Sequence, residues 1–167
     1  MTRIRPSLAG DEDAIHRVEA AAFGRRDEAD LALRVMASAK PCVSLVAERD
    51  GEIVGHVLFS PIRVDGHSFA RPPMALGPLA VTPALHKDGI GSLLARAGLD
   101  ACRALGAPFV VVLGHPPYYP RFGFVPAARF GLTYAEMPPR DPFMAMELAP
   151  GALAGVSGKV RYVPEFG

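Results

Sequence analysis

The sequence predicts an α/β fold of α+β-like character, in which a mixed, mostly antiparallel sheet contains one parallel βαβ crossover. In the first half, two apolar runs, 43–48 and 53–62, are joined by Asp50-Gly51, a dipeptide typical of hairpin turns. In the second half, two apolar runs flank a helical pattern, at residues 76–81, 109–113 and 89–105. Because parallel strands need a crossover and are buried on both faces, this order indicates one βαβ unit.

The remaining elements of the first half follow from local signals. Residues 2–6 can form a first strand, and the acidic run 11–13 suits the start of a helix, where the helix dipole favours negative charge. A second helix is expected over 28–39, and Pro41 ends it. Asp65-Gly66 marks the next turn. The first half is therefore expected to contain a strand, two helices and an antiparallel meander.

The second half has two further features. Gly77-Pro78 predicts a bulge or kink within its strand, because proline cannot donate to a ladder and glycine weakens a strand interior. A proline-rich loop, 138–142, precedes an expected final strand over 143–148. The crossover helix should bury one apolar stripe, made of Ile90, Leu93, Leu94, Ala97, Ala101 and Leu105.

Bulk composition limits the classes of protein. The 167 residues fit a single domain, 1–167, and no run approaches the roughly 20 apolar residues that span a bilayer. The net charge of +1 indicates no general affinity for nucleic acid or membrane. The first residues lack signal-peptide features, so a cytoplasmic location is expected. Cys42 and Cys102 lie far apart in sequence and are expected to be inert thiols, with no metal site.

A glycine-containing loop leads into the predicted crossover helix. Gly89 and Gly91 would let the backbone approach a phosphate, and the free amides at a helix start favour its negative charge. Glycines before a helix are also common as plain turn residues, so this pattern alone leaves both readings open. The dinucleotide-binding fingerprint fits poorly because Leu94 replaces its third glycine, and the Gly-Lys-Ser/Thr of a P-loop is missing.

With its flanks, this loop resembles the central motif of the GNAT acyltransferase superfamily. The strand reads Leu79-Ala80-Val81-Thr82-Pro83, and the loop reads His86-Lys87-Asp88-Gly89-Ile90-Gly91. The resemblance implies helices on both faces of the sheet, strands splayed at a cofactor slot, and acetyl-CoA as cosubstrate. His86 stands where relatives carry Gln or Arg. The implied coenzyme A contacts are the strand residues Leu79, Ala80 and Val81 and the loop residues His86, Lys87, Asp88, Gly89, Ile90, Gly91 and Ser92.

A second motif lies downstream at the spacing that the same superfamily shows. Residues 118–124, Tyr-Tyr-Pro-Arg-Phe-Gly-Phe, resemble its Phe-Tyr-x-Lys-x-Gly-Phe, and the resemblance covers roughly residues 2–150. It implies that Tyr119 is the general acid, and a phenol can protonate a departing thiolate. Residues 114–117 lack the Asn-x-x-Ala helix of many relatives, which suggests that this helix is truncated.

The sequence leaves the general base and the acceptor open. Candidate bases are Glu19, Glu28, Asp30, His56, His115 and Glu147, and deprotonation through water is a further option. The expected function is direct transfer of an acetyl group to an amine of a small molecule or peptide. A homodimer is one assembly that the protein could form. The alternatives are transfer of another acyl group or to a hydroxyl, and a non-catalytic acyl-CoA sensor.

Overall fold

The computed structural model describes residues 1–114, 116–134 and 143–166. These residues form three α-helices and ten strands. In chain order they are β1 (Thr2–Pro6), α1 (Glu12–Phe23), α2 (Asp27–Ser38), β2 (Val43–Arg49), β3 (Glu52–Pro61), β4 (Arg63–Val64), β5 (Met74–Val81), α3 (Ile90–Ala104), β6 (Phe109–Leu113), β7 (Val125–Pro126), β8 (Leu132–Tyr134), β9 (Phe143–Glu147) and β10 (Gly158–Arg161). Short 3₁₀ turns, one of them Tyr119–Phe122, join some of these elements.

The large sheet has the strand order β1-β2-β3-β5-β6-β9-β7 in the described part of the chain. Only β5 and β6 run parallel, and α3 connects them. The other neighbouring strands in this sheet are antiparallel. The predicted mixed, mostly antiparallel sheet with one βαβ crossover is therefore confirmed.

β5 and β6 separate after a short paired stretch. Met74, Ala75 and Leu76 pair with β6, whereas β5 itself continues to Val81. On its other edge β5 stays paired with β3, where two residues, Gly77 and Pro78, fall opposite one residue between successive register pairs. This confirms the predicted bulge. The bulge and the end of the β5–β6 pairing coincide, so the slot between the splayed strands opens where the bulge lies.

Helices cover both faces of the large sheet, as the resemblance implied. Side chains alternate along β3: Val57 and Phe59 join the core under α3, while His56 and Leu58 point to the face covered by α1 and α2. β6 is buried on both faces over its first four residues. The slot therefore lies between two separate layers, with α3 on one side and α1 and α2 on the other.

The buried stripe of α3 differs from the prediction. Leu93 and Leu105 are 47% and 40% exposed. The face toward the sheet instead uses smaller residues, because a Cβ atom at Gly98 would lie only 2.1 Å from Cε1 of Phe59. A helix packed this closely turns its inward face toward the small residues. The buried side of α3 consists of Ile90, Leu94, Ala95, Gly98, Leu99 and Cys102.

The substitution Gly98→Ala is expected to destabilise the protein by about 1–3 kcal/mol, because an added methyl group must displace the ring of Phe59 from a filled core. Urea unfolding would measure the change. Gly91→Ala is the matched control in the same helix, where the nearest atom to the added Cβ, the Tyr118 hydroxyl, is 3.3 Å away. That control should be neutral or slightly stabilising. Equal stability of both variants would contradict the close approach of α3 to β3.

A second, three-stranded sheet, in the order β4-β10-β8, was not predicted. Its strands are two to four residues long, too short to show an alternating pattern. Since β10 follows β9, the prediction that 143–148 is the final strand is wrong. This sheet shares apolar contacts with β5, β6 and β9 on the face that α1 and α2 also occupy.

Among the described residues, no helix combines the length and the apolar character needed to cross a membrane. Within the same ranges, His, Cys, Asp and Glu side chains form no group of three or more that could hold a metal ion.

Candidate active site

The start of α3 provides unpaired backbone donors. Gly89 caps the helix with a φ of 81°, a left-handed conformation that favours glycine. The amide of Leu93 donates to the Gly89 carbonyl at 3.1 Å. The first three amides of the helix, those of Ile90, Gly91 and Ser92, lie before this bond and have no intrahelical acceptor. Together with the helix dipole they form a site suited to an anion.

The other wall of this site comes from the second motif. The Tyr118 hydroxyl lies 3.1 Å from Ser92 Oγ, and the Arg121 guanidinium stacks 4.3 Å from the centre of the Tyr118 ring. Arg121 Nε also donates to the Tyr118 carbonyl at 2.8 Å. These residues line a cleft of about 250 Å³ with Gly89 and Gly91. The sequence prediction did not assign Tyr118 or Arg121 to this cleft, although both lie in the motif that it identified.

Of the other predicted loop residues, His86 and Lys87 also line the cleft, while His86 and Asp88 have side-chain contacts outside it. His86 Nε2 lies 2.8 Å from the Val81 carbonyl, and since a carbonyl only accepts, the imidazole must donate to it. The Asp88 carboxylate pairs with Arg49 at 3.2 Å. Lys87 is exposed, with a left-handed φ of 78°. His86 therefore braces the loop against β5, and Arg49 offsets the negative charge nearest the cleft.

The predicted strand residues form an available edge. Leu79, Ala80 and Val81 pair with β3, while the pairing of β5 with β6 has already ended at Leu76. The opposite edge of this stretch thus faces the slot. An extended molecule can add to such an edge as a further strand.

Tyr119 lies at the start of the 3₁₀ turn beside the slot. Its side chain is only 9% exposed, and its ring stands edge-on to that of Tyr118, with centres 5.1 Å apart. The Gly114 backbone lies so close that a Cβ there would be 2.1 Å from the Tyr119 ring. Burial, with a smaller effect of Tyr118, raises the pKa of Tyr119 to about 12. No described residue hydrogen-bonds to its hydroxyl, so the group keeps its proton and is free to donate it.

The candidate bases fall into different surroundings. Glu19 and His56 are fully buried and contact each other at 2.6 Å. The exposed Asp30 pairs with His16, and Glu28 pairs with Arg25.

The two remaining candidate bases are Glu147 and His115. Glu147 accepts from the amide of Leu153 at 2.7 Å and stands opposite Phe109, at the end of β6 away from the slot. His115 lies outside the described residues.

Neither cysteine has the surroundings of a nucleophile. Burial raises the pKa of Cys102 to about 12 and that of Cys42 to about 11. Both thiols are therefore overwhelmingly protonated near neutral pH, and a thiolate is the reactive form. This agrees with their predicted inertness.

Comparisons with known proteins converge on one family. Residues 12–124 match the model of the acetyltransferase (GNAT) family. The uncharacterized N-acetyltransferase YjhQ of Escherichia coli K12 is 42% identical over 120 residues, which span 71% of this chain and 66% of YjhQ, just under two thirds of its length. The uncharacterized N-acetyltransferase YhbS of the same organism is 38% identical over 125 residues, 74% of each protein.

Two solved structures are similar over almost the entire chain. A crystal structure of E. coli YhbS in complex with CoA has a TM-score of 0.90 at 32% identity, covering 99% of this chain and 91% of that one. A GNAT acetyltransferase from Brucella melitensis in complex with acetyl-CoA has a TM-score of 0.82 at 32% identity, covering 100% and 99%. The splayed sheet, the helix-start cleft and these matches agree, and the chain belongs to the GNAT acetyltransferase family.

Proposed function

We propose that the chain transfers the acetyl group of acetyl-CoA to an amine, directly and within a ternary complex. Membership of the GNAT acetyltransferase family and the relatives crystallised with CoA and acetyl-CoA support acyl transfer from acetyl-CoA. The observation that best supports the detailed proposal is the meeting of three features at one slot. The end of β5 at Val81 and the free amides of α3 line one cleft with Tyr118, and the ring of the protonated Tyr119 packs against Tyr118 and Gly114 beside it.

The cosubstrate would be held mainly by backbone groups. The amides of Ile90, Gly91 and Ser92 suit the pyrophosphate, with Arg121 as a nearby cation. The edge at Leu79–Val81 suits the amides of the pantetheine arm. Two structural relatives were crystallised with CoA and acetyl-CoA, which supports the same use here. His86 would act on the loop rather than on a phosphate, because its Nε2 already donates to Val81.

Acetyl transfer then needs two proton movements. A neutral amine attacks the thioester carbonyl carbon, the C–S bond breaks, and the departing thiolate requires a proton. Tyr119 would donate it, and its raised pKa keeps the phenol protonated throughout the neutral range. The phenolate is reprotonated by the surplus N–H proton of the new amide. Direct transfer is favoured over a cysteine acyl-enzyme, because burial raises the pKa of both cysteines and keeps their thiols protonated.

The test is a thiol-release assay over a panel of amines and alcohols, with CoA binding measured in parallel. Release that depends on an amine, with its acetylated product identified by mass spectrometry, is the expected result. Binding without any release would favour the sensor alternative. Faster release from a longer acyl-CoA, or with an alcohol, would favour the other acyl-transfer alternatives.

Location, assembly and acceptor type are further parts of the proposal. A cytoplasmic location is supported by two free cysteines, which are typical of a reducing compartment. The homodimer stays a prediction, and light scattering of the purified chain would decide it. The acceptor, a small-molecule or peptide amine, would enter from the α1 and α2 side, because α3 and Tyr119 occupy the other face.

A further inference from the structure

A continuous chain of hydrogen bonds runs from the rim of β1 to a buried carboxylate on α1. Ser7 Oγ lies 2.8 Å from Ser44 Oγ, which lies 2.9 Å from His56 Nε2. His56 Nδ1 lies 2.6 Å from Glu19 Oε2. Glu19 and His56 are both fully buried. Side chains of β2 and β3 and of Ser7, the residue that follows β1, thus form one chain that ends at the Glu19 carboxylate on α1.

The chain has one consistent direction when Glu19 is ionised and the His56 imidazole is neutral. A carboxylate only accepts, so His56 Nδ1–H donates to Oε2, and Nε2 of the neutral imidazole accepts from the Ser44 hydroxyl. Ser44 in turn accepts from Ser7. Every donor in this arrangement is used, and one acceptor is left over: Glu19 Oε1 is buried and has no partner among the described residues. An unpaired buried carboxylate oxygen is costly, so it needs a water or a ligand.

The carboxylate that carries this oxygen lies on the face of the sheet from which the acceptor would enter in the proposed function. His56 pairs in register with Ala80 on β5, and neighbouring strands lie about 5 Å apart. The other edge of β5 has no partner strand after Leu76, and this edge faces the slot. His56 and Val57 point to opposite faces of the sheet. Tyr119 belongs to the hydrophobic core on the Val57 face. His56, which contacts Glu19, therefore stands one strand from the slot edge, on the opposite face of the sheet from the proposed acid.

Two ionisable side chains from neighbouring elements act on Glu19: His56 from β3 and Glu28 from α2. Burial raises the pKa of Glu19, His56 on β3 opposes this rise, and the Glu28 carboxylate on α2 adds a smaller increase. Glu28 Oε2 is likewise buried without a partner in the described chain, while its other oxygen contacts Arg25. β5 carries no titratable side chain. With both carboxylates ionised, Arg25 balances one of them, and the remaining negative charge favours a cation over a neutral ligand.

We propose that Glu19 is the general base, which removes a proton from the ammonium group of the acceptor, and that His56, Ser44 and Ser7 are positioning residues that hold its carboxylate. This inference rests on the proposed acetyl transfer. It assigns the acceptor to alkylamines that are protonated in solution, since a weakly basic, already neutral amine would need neither the base nor the paired carboxylates.

The proton balance agrees with one base and one acid. An N–H bond of the ammonium breaks and an O–H bond forms on Glu19, directly or through one water. The freed amine forms the C–N bond, the C–S bond breaks, and Tyr119 gives its proton to sulfur. The tetrahedral nitrogen then returns a proton to Tyr119. One proton remains on Glu19 and leaves to solvent, as acetylation of an ammonium ion by a thioester requires.

The test compares wild type with Glu19→Gln, using an alkylamine that the wild type acetylates. At pH 7, Glu19→Gln should lower kcat/KM by about 100-fold or more, while CoA affinity stays unchanged. The deficit should shrink as the pH rises, because the variant reacts only with amine that is already neutral. A residue with a purely structural role would give a loss independent of pH. Activity within about threefold of wild type at every pH would overturn the assignment.

A second pair of variants keeps the inference testable if Glu19→Gln does not fold. In His56→Asn the amide nitrogen can replace Nδ1 as the donor to Glu19, whereas His56→Leu offers no donor. The Asn variant should retain at least about ten times the kcat/KM of the Leu variant. Equal values in two folded proteins would overturn the positioning role. Absence of thiol release from the wild type itself would instead count against the proposed function.

Discussion

Replacing Tyr119 with phenylalanine is expected to lower turnover by about 100-fold or more while CoA affinity and stability change little. The ring is 9% exposed and packs against Tyr118 and Gly114, and phenylalanine preserves that packing. No described residue would lose a hydrogen bond to the hydroxyl. Only the proton for the thiolate disappears. Since that proton is needed as the C–S bond breaks, kcat and kcat/KM should fall together when chemistry limits the rate.

Tyr118→Phe is the matched control for this prediction. The Tyr118 hydroxyl contacts Ser92 Oγ at the helix start, on the anion side of the slot, so its loss should affect mainly CoA affinity. The pH profile of the wild type offers a further check: with a pKa of about 12, ionisation of Tyr119 should cause no loss of kcat below about pH 10. Equal turnover in the two variants would leave Tyr119 a wall residue and assign the proton to water or to the acceptor.

The core crossover could be predicted because its signals are local and periodic. The apolar run of β6, the glycines before α3 and the Gly77-Pro78 bulge each depend on a few consecutive residues, and each appears in the structure as expected. The stripe of α3 was predicted less well, because Gly98 allows Phe59 to approach and turns the helix toward its small residues. Hydrophobicity alone does not reveal such a close approach.

Contacts between distant residues were beyond the reach of the sequence. Glu19 and His56 are 37 positions apart, on a helix and a strand, and only the packing of α1 over β3 makes them a pair. As isolated residues they looked no different from Glu28 or Asp30. Likewise, the motif around Tyr119 was recognised, but the stacking of Arg121 on Tyr118 depends on the path of the chain after β6.

The substitution Gly91→Asp is expected to weaken CoA binding by about 100-fold or more without unfolding the protein. Its side chain would stand among the three unpaired amides of α3, where it adds negative charge beside the pyrophosphate and competes for the same donors. The apo protein should not suffer, because an acidic residue in the first turn of a helix interacts favourably with the dipole. CoA affinity should therefore fall, while the free energy of unfolding of the apo protein stays the same or rises.

Titration calorimetry with CoA and a parallel urea unfolding experiment would measure both effects. Gly91→Ala separates size from charge: it adds the same Cβ, 3.3 Å from the Tyr118 hydroxyl, but no carboxylate. We expect the alanine variant to lose far less affinity than the aspartate variant, and the difference to shrink at high salt, where charge repulsion is screened. A folded Gly91→Asp protein that binds CoA as tightly as the wild type would show that the pyrophosphate does not lie at the start of α3.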